Sequence, residues 1–232
     1  MKLKFRMGLI LVLIIVGLMP AYGQNQLSGG EQAYFEQFVL NWVSSGRSLD
    51  EAVLIRTFNA FNSARSRYSG GERVFFDQYL LYWTLSTRSF DEAALTRSFN
   101  TLNTVRSRYS GGDRVFFEQY LLNWIATNRN IDEAGMTRTF NALNASRNRY
   151  SSDEQKIFDQ FVNNWVQSSK SIEEAAMTRS FNAMFSARRR LSGSEQRFFD
   201  QFMLDWTAND SYIDEEVLIR SFNALLAARR RY

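Results

Sequence analysis

An asparagine recurs every 41 residues along this sequence, at Asn59, Asn100, Asn141, Asn182 and Asn223, and we call this set the asparagine ladder. A carboxamide can donate to a carbonyl and accept from an amide hydrogen, so such a row suits the capture of an extended peptide backbone. Asparagine is also a poor residue for the interior of a helix. The alternative role is structural, with each asparagine bonding a neighbouring helix or loop and fixing how repeats stack.

Arginine supplies almost all of the positive charge. Beyond the first 23 residues, 23 of the 25 basic residues are arginine, and only Lys156 and Lys170 are lysine. This choice favours bidentate or stacked contacts over simple solubility. Three arginines recur in each repeat, beginning with Arg56, Arg65 and Arg67. The members that share a helix face with the ladder are Arg56, Arg97, Arg138, Arg179 and Arg220, and with the ladder they are our candidate binding residues.

Two roles are open for these arginines. One is a lattice between repeats, in which they pair with recurring acids, and the sequence favours this role. The acids are Glu36, Asp77, Glu118, Asp159 and Asp200. The other role is an anion-binding surface.

Catalysis has little support in the sequence. There is no histidine and no cysteine, which excludes an imidazole base, a thiolate nucleophile and a zinc site built from these ligands. Paired acids such as Asp50 and Glu51 could in principle hydrolyse glycosides. They recur in every repeat at a predicted helix start, however, where acids stabilise the helix dipole. We therefore expect a protein that is not an enzyme and that holds no cofactor or metal.

The elements that position these residues follow from the repeat. Residues 28–232 divide without gaps into five units of 41 residues, at 28–68, 69–109, 110–150, 151–191 and 192–232. Each unit has two helix starts. The first is Ser-x-x-Glu/Asp, as in Ser69 to Glu72, which predicts a capping box. The second is an acidic pair preceded by an apolar residue, which predicts another cap. No proline interrupts the unit.

Apolar spacing predicts how the helices pack. Phe76, Tyr79, Leu80 and Trp83 follow a helical period in the first helix, as do Leu95, Phe99 and Leu102 in the second. A second stripe of smaller residues, Ala94, Ser98, Thr101 and Val105, predicts close approach of another helix. The fold class is therefore all-α, an α-solenoid of five helical hairpins with about ten helices. The architecture resembles tetratricopeptide-type arrays, although the period and the residue pattern differ.

Five tryptophans, Trp42, Trp83, Trp124, Trp165 and Trp206, lie on the apolar face of the first helices. A carbohydrate platform is conceivable, but the spacing favours core residues.

The N-terminal segment predicts export. A basic start (Lys2, Lys4, Arg6), an apolar run over residues 7–19 and a small-residue site ending at Gly23 are typical of a secretory signal peptide. Thirteen residues are too few for the roughly 20 of a membrane span. We therefore expect cleavage after residue 23, a short segment over residues 24–27, no membrane span in the mature chain, and a secreted or periplasmic location.

Without the first 23 residues the chain carries 25 basic and 24 acidic residues, which removes the electrostatic argument for nucleic acid binding. Our leading interpretation is an exported protein that binds a protein or peptide partner or acts as a scaffold. A structural protein that stacks end to end as a homo-oligomer is the alternative, because the first repeat has no obvious capping changes; Phe35 and Phe38 are the residues we expect at that end surface. Glycan binding is third.

Overall fold

The computed structural model is all-helical over the residues it describes, which are 29–48, 50–86, 88, 90–127, 129–168, 170–209 and 214–231. Ten helices lie in this part of the chain, two in each repeat. They are α1 (Gly29–Ser44), α2 (Glu51–Arg65), α3 (Gly70–Leu85), α4 (Glu92–Arg106), α5 (Gly111–Ala126), α6 (Glu133–Arg147), α7 (Ser152–Gln167), α8 (Glu174–Arg188), α9 (Gly193–Ala208) and α10 (Glu215–Arg229). The predicted all-α fold built from helical hairpins is confirmed. The export segment and residues 24–27 lie outside the described residues.

The helices form two compact units. One holds the described residues up to Thr104 together with those of Ile125–Asn130, and the other holds Val105–Trp124 together with the described residues from Ile131 onwards. In the first unit α1 packs against both α2 and α3. In the second unit α7 packs against α9, while the second helices α6, α8 and α10 pack in succession. Equivalent helices of consecutive repeats thus pack side by side within each unit, as in an α-solenoid.

Aromatic rings fill the core of each hairpin. Phe76, Tyr79, Leu80 and Trp83 are buried on α3, as predicted. Phe99 of α4 packs edge-on against Phe76, with ring centroids 4.9 Å apart. Such edge-to-face pairs add stability beyond the burial of apolar area. Three tryptophans, Trp42, Trp83 and Trp165, are buried, and the other two are partly exposed.

Aspartate caps begin most of the second helices, as the acidic pairs predict. The Asp50 carboxylate accepts a hydrogen bond from the Val53 N–H at 3.1 Å, and Asp132 accepts from Gly135 at 3.0 Å. Asp214 accepts from both Glu216 and Val217. These bonds satisfy amide hydrogens that the first helical turn leaves free.

The predicted serine caps of the first helices are confirmed in α7 and wrong in two other first helices. In α7 the expected capping box forms, and the Ser151 N–H donates to the Glu154 carboxylate at 2.9 Å. Ser69 and Ser192 make no capping bond through their side chains. Each of these two serines precedes a glycine with positive φ, 52° at Gly70 and 44° at Gly193, whereas α7 has Ser152 at that place. The glycine turns the backbone into the left-handed region, and the serine hydroxyl does not reach the helix start.

Two further expectations about packing were wrong in part. In the stripe of small residues on α4, Ser98 and Val105 are buried, but Thr101 is exposed because the helix turns it away from its neighbours. Phe35 and Phe38 do not lie on an end surface: both are buried against Phe58, at centroid distances of 4.7 and 5.5 Å. No helix in the described part of the chain is long and apolar enough to span a membrane.

Candidate functional site

All ten candidate binding residues lie on the exposed side of the second helices. The five ladder asparagines and the five arginines that share their face are exposed in every repeat. The second helices bury the opposite stripe, for example Leu95, Phe99 and Leu102 on α4. A surface that presents guanidinium and carboxamide groups side by side can donate hydrogen bonds to carbonyl and carboxylate oxygens.

Three ladder asparagines also have a structural partner. The tyrosine that ends one repeat donates its hydroxyl to the asparagine Oδ1 of the next. The three pairs are Tyr68 with Asn100 at 2.8 Å, Tyr109 with Asn141 at 2.5 Å, and Tyr150 with Asn182 at 2.6 Å. Burial is the main reason that the pKa of each of these tyrosines is raised, so their hydroxyls remain donors at neutral pH. These three asparagines therefore make a contact between repeats of the kind that the structural alternative predicts, with Oδ1 as the acceptor. The Nδ2 atom of each has no hydrogen-bond partner among the described residues.

The remaining two asparagines lack this tyrosine in the sequence. Leu191 precedes Asn223 at the equivalent distance, and Leu27 precedes Asn59. Both asparagines are nevertheless kept and exposed. The tyrosine pairing was not anticipated from the sequence, although a tyrosine 32 residues before an asparagine is a visible signal in three repeats.

One arginine of each of the first four repeats is used for packing. Four arginines near the ends of second helices pair with an acid in the first helix of the next repeat, and we call them the junction arginines. The pairs are Arg65 with Asp77 at 2.5 Å, Arg106 with Glu118 at 2.6 Å, Arg147 with Asp159 at 2.6 Å, and Arg188 with Asp200 at 2.5 Å. Arg147 is 7% exposed and reaches Asp113 as well, at 2.9 Å. The predicted lattice of arginine–acid pairs between repeats is therefore present, and it is formed by the junction arginines.

The other two arginines of each repeat are not part of that lattice. We call them the surface arginines: Arg56, Arg97, Arg138, Arg179 and Arg220, and Arg67, Arg108, Arg149, Arg190 and Arg231. All ten are exposed, and none forms a salt bridge with an acid in the described part of the chain. No salt bridge among the described residues therefore explains why these positions are always arginine.

An open cleft in the first unit is lined by one surface arginine from each of the two recurring series. Its volume is about 770 Å³, and its lining includes Arg67 from the end of the first repeat and Arg97, Asn100 and Thr96 from α4. The Thr96 hydroxyl is buried and has no hydrogen-bond partner among the described residues. In the third repeat the equivalent Thr137 hydroxyl donates to the Glu133 carbonyl at 2.7 Å. The cleft thus offers two cations and at least one unused polar atom.

One of the two acids that line this cleft is engaged in capping a helix. Asp91 lines the cleft, but its carboxylate accepts from the backbone of Ala93 and Ala94 at the start of α4. Glu92, the next residue along the chain after Asp91, lines the same cleft. A carboxylate used as a helix cap is a poor candidate for a nucleophile or general acid. Over the described residues, no cluster of acids could hold a metal ion.

Basic side chains in the loops add a contact that the sequence did not indicate. Arg47 donates to the Thr84 carbonyl at 3.2 Å and to the carbonyls of Ser86 and Arg88, where the next first helix ends. Lys170 does the same at the end of α9, donating to the Thr207 carbonyl at 3.1 Å. A cation at a helix C-terminus satisfies free carbonyls and stabilises the dipole.

Comparison with known proteins leaves the chain without a relative from which a function could be transferred. No protein family matches it, and neither a characterised protein nor a solved structure is significantly similar to it. The function is therefore argued from the surface itself.

Proposed function

We propose that this chain is an exported, non-enzymatic binding module that holds an extended, acidic segment of a partner protein on its second helices. The observation that carries this proposal is the set of ten surface arginines. They are exposed and recur in every repeat, and no carboxylate of the described chain pairs with them. Unpaired guanidinium groups next to carboxamides match the acceptors of a peptide backbone with acidic side chains.

The spacing of the ladder fits an extended chain. Within the second unit α6, α8 and α10 pack in succession and carry Asn141, Asn182 and Asn223. Packed helices lie about 8–10 Å apart, and an extended chain advances about 3.3 Å per residue. Every third residue of a bound segment therefore meets one repeat. Because Oδ1 of Asn141 and Asn182 already accepts from a tyrosine, the amide nitrogen is the atom left to donate to a peptide carbonyl.

Catalysis is not needed to explain any of these residues. The acidic pairs that resemble a hydrolytic site cap the second helices, as Asp50, Asp91 and Asp132 do. The role in export rests on the first 23 residues, which lie outside the described part of the chain.

A peptide display library screened on the purified chain tests the proposal. We expect enrichment of extended acidic sequences, with binding that weakens as salt rises. The double variant Arg138→Glu with Arg179→Glu should weaken binding of an enriched peptide at least about tenfold, since two charge contacts are reversed. Lys156→Glu is the matched control, because this exposed cation lies on the first helix α7 and pairs only with the neighbouring Asp153. Enrichment without acidic bias, or equal loss in the control, would refute the proposal. Binding of an anionic glycan in place of peptides would redirect it to the third interpretation.

A further inference from the structure

The fifth repeat exposes an apolar residue at a place that is buried in the other four. Phe61, Leu102, Leu143 and Met184 are at most 1% exposed, whereas the equivalent Leu225 is 47% exposed. In the first unit the next repeat supplies the cover, since the Phe61 ring lies 5.6 Å from that of Phe90. Leu225 thus lacks the covering contact that buries the equivalent residue in each of the other four repeats.

Two neighbours of Leu225 show the same change. Phe202 is partly exposed, while the equivalent Phe38 and Phe161 are fully buried. Arg229 is the fifth member of the junction series; it is exposed and forms no salt bridge in the described chain, although its charge contributes to lowering the pKa of Glu195 in its own repeat. We call Phe202, Leu225 and Arg229 the tail surface.

Arg229 is already placed as a junction arginine is placed. Its guanidinium lies 5.2 Å from the centre of the Phe198 ring. Arg65 lies 4.8 Å from Tyr34 and Arg147 lies 5.3 Å from Phe116 in the same way, and both then pair with an acid of the next repeat. The stacked ring therefore orients Arg229 in the way that lets a junction arginine meet a carboxylate of another repeat.

The first repeat carries the matching half. Glu36 of the first repeat is equivalent to the four acids that pair with junction arginines, but it has no arginine partner among the described residues. Its carboxylate accepts a hydrogen bond only from Gln32, one helical turn away, at 3.2 Å. Leu40 beside it on α1 is 37% exposed; among its equivalents Leu122 is 2% exposed, while Leu81 and Leu204 are partly exposed. We call Glu36 and Leu40 the head surface.

We propose that the chain associates head to tail with a second copy of itself, so that the tail surface of one copy covers the head surface of the next. Arg229 of one copy pairs with Glu36 of the other, which repeats the contact found four times between consecutive repeats. The charges are complementary, and the tail residues Leu225 and Phe202 that become covered are equivalent to residues that are buried in the other repeats. These residues differ from the surface arginines, so the association goes beyond the proposed binding of a partner.

One substitution makes this contact weaker than the two internal contacts that an asparagine closes. Asn41 and Asn164 donate to backbone carbonyls of the next repeat, at 2.9 Å to Leu81 and 3.0 Å to Leu204. The fifth repeat has Asp205 at this place, and an ionised carboxylate has no hydrogen to donate. It instead accepts from Gln201 at 2.7 Å. The association is therefore reversible and depends on concentration.

Sedimentation velocity of the purified chain from micromolar to millimolar concentration tests the proposal. We expect self-association that weakens about tenfold or more in Leu225→Glu, in Arg229→Glu and in Glu36→Arg. Combining Arg229→Glu with Glu36→Arg in one chain should restore association, because the pair is then reversed. Val115→Glu is the control: this exposed apolar residue lies on α5, which carries no residue of either surface.

Mixing two variants distinguishes head-to-tail from symmetric association. Leu225→Glu keeps its head surface and Glu36→Arg keeps its tail surface, so an equimolar mixture should form a one-to-one dimer and nothing larger. Asp205→Asn should tighten the association of the otherwise unchanged chain, because it restores the missing donor. A chain that stays monomeric at millimolar concentration, or a mixture that forms no dimer while the parent chain associates, would overturn the proposal.

Discussion

The junction arginines and the surface arginines have the same residue type and the same recurrence, yet they have different environments. Arg147 is 7% exposed and reaches two carboxylates, whereas Arg138 on the same helix is exposed and has no acid partner in the described chain. The difference teaches that recurrence in a repeat protein has two separate causes. One is the geometry of stacking, which must be the same at every junction. The other is a surface kept for contacts that the chain does not make with itself.

The largest expected effect separates these two groups by stability. Arg147→Ala leaves the partly buried carboxylates of Asp159 and Asp113 without their cation, and we expect it to lower the free energy of unfolding by about 3 kcal/mol. Arg138→Ala on the same helix should change it by less than about 0.5 kcal/mol. Urea denaturation followed by circular dichroism measures both. Equal losses in the two variants would show that the surface arginines also stabilise the fold.

The second test uses the acids that pair with arginine. Burial raises the pKa of Asp159, and the bond from Arg147 offsets this only in part. The folded state then holds this proton more tightly than the unfolded state. The contribution of Asp159 to stability is therefore greatest in acid and declines as pH rises through the raised pKa.

Glu195 provides the opposite case on the surface. The hydrogen bond from Arg230 lowers its pKa, so its contribution is present at neutral pH and is lost as pH falls through that lowered value. Carboxyl NMR titration should place Asp159 above and Glu195 below the ordinary values for their residue types. Asp159→Asn and Glu195→Gln should each remove one of the two pH dependences. Shifts of the same sign at both sites would contradict the contrast between the partly buried Asp159 and the exposed pair of Glu195 with Arg230.

The smallest expected effect concerns the asparagine ladder. Asn182→Ala removes an exposed hydrogen bond from Tyr150, which is worth about 0.5–1.5 kcal/mol, and gains several tenths from helix propensity, so it should be neutral to slightly destabilising. Asn223→Ala has no such tyrosine to lose and should stabilise α10 by about 0.5 kcal/mol. Thermal melts of the two variants give the comparison. A marked loss of melting temperature in Asn223→Ala would reveal a structural bond that the ladder makes without tyrosine.

Much of the fold was predictable because the repeat displays it five times. Spacing and residue type alone predict three features: the period of 41 residues, the capping role of Asp50, and the buried face of Phe76, Tyr79 and Leu80. The serine caps were less predictable, since a glycine after Ser69 allows a backbone conformation that competes with capping.

The candidate site was predictable only in part. The helical period placed Asn100 and Arg97 on an uncovered face, and both are exposed. It could not show which of Arg56, Arg65 and Arg67 meets an acid, because that depends on how far the next repeat approaches. Nor could it reveal the bond from Tyr68 to Asn100, since residues 32 apart meet only through the stacking of repeats.

The loop cations Arg47 and Lys170 give the array a direction. Each donates hydrogen bonds to carbonyls at the end of the first helix of the following repeat. In both contacts the cation comes from the earlier repeat, and the helix end that it stabilises belongs to the later one. When an earlier repeat opens, the later one is left with free carbonyls; when the later one opens, the earlier helix keeps its own hydrogen bonds. Local opening within a unit is therefore passed along the chain more readily towards the C-terminus than towards the N-terminus.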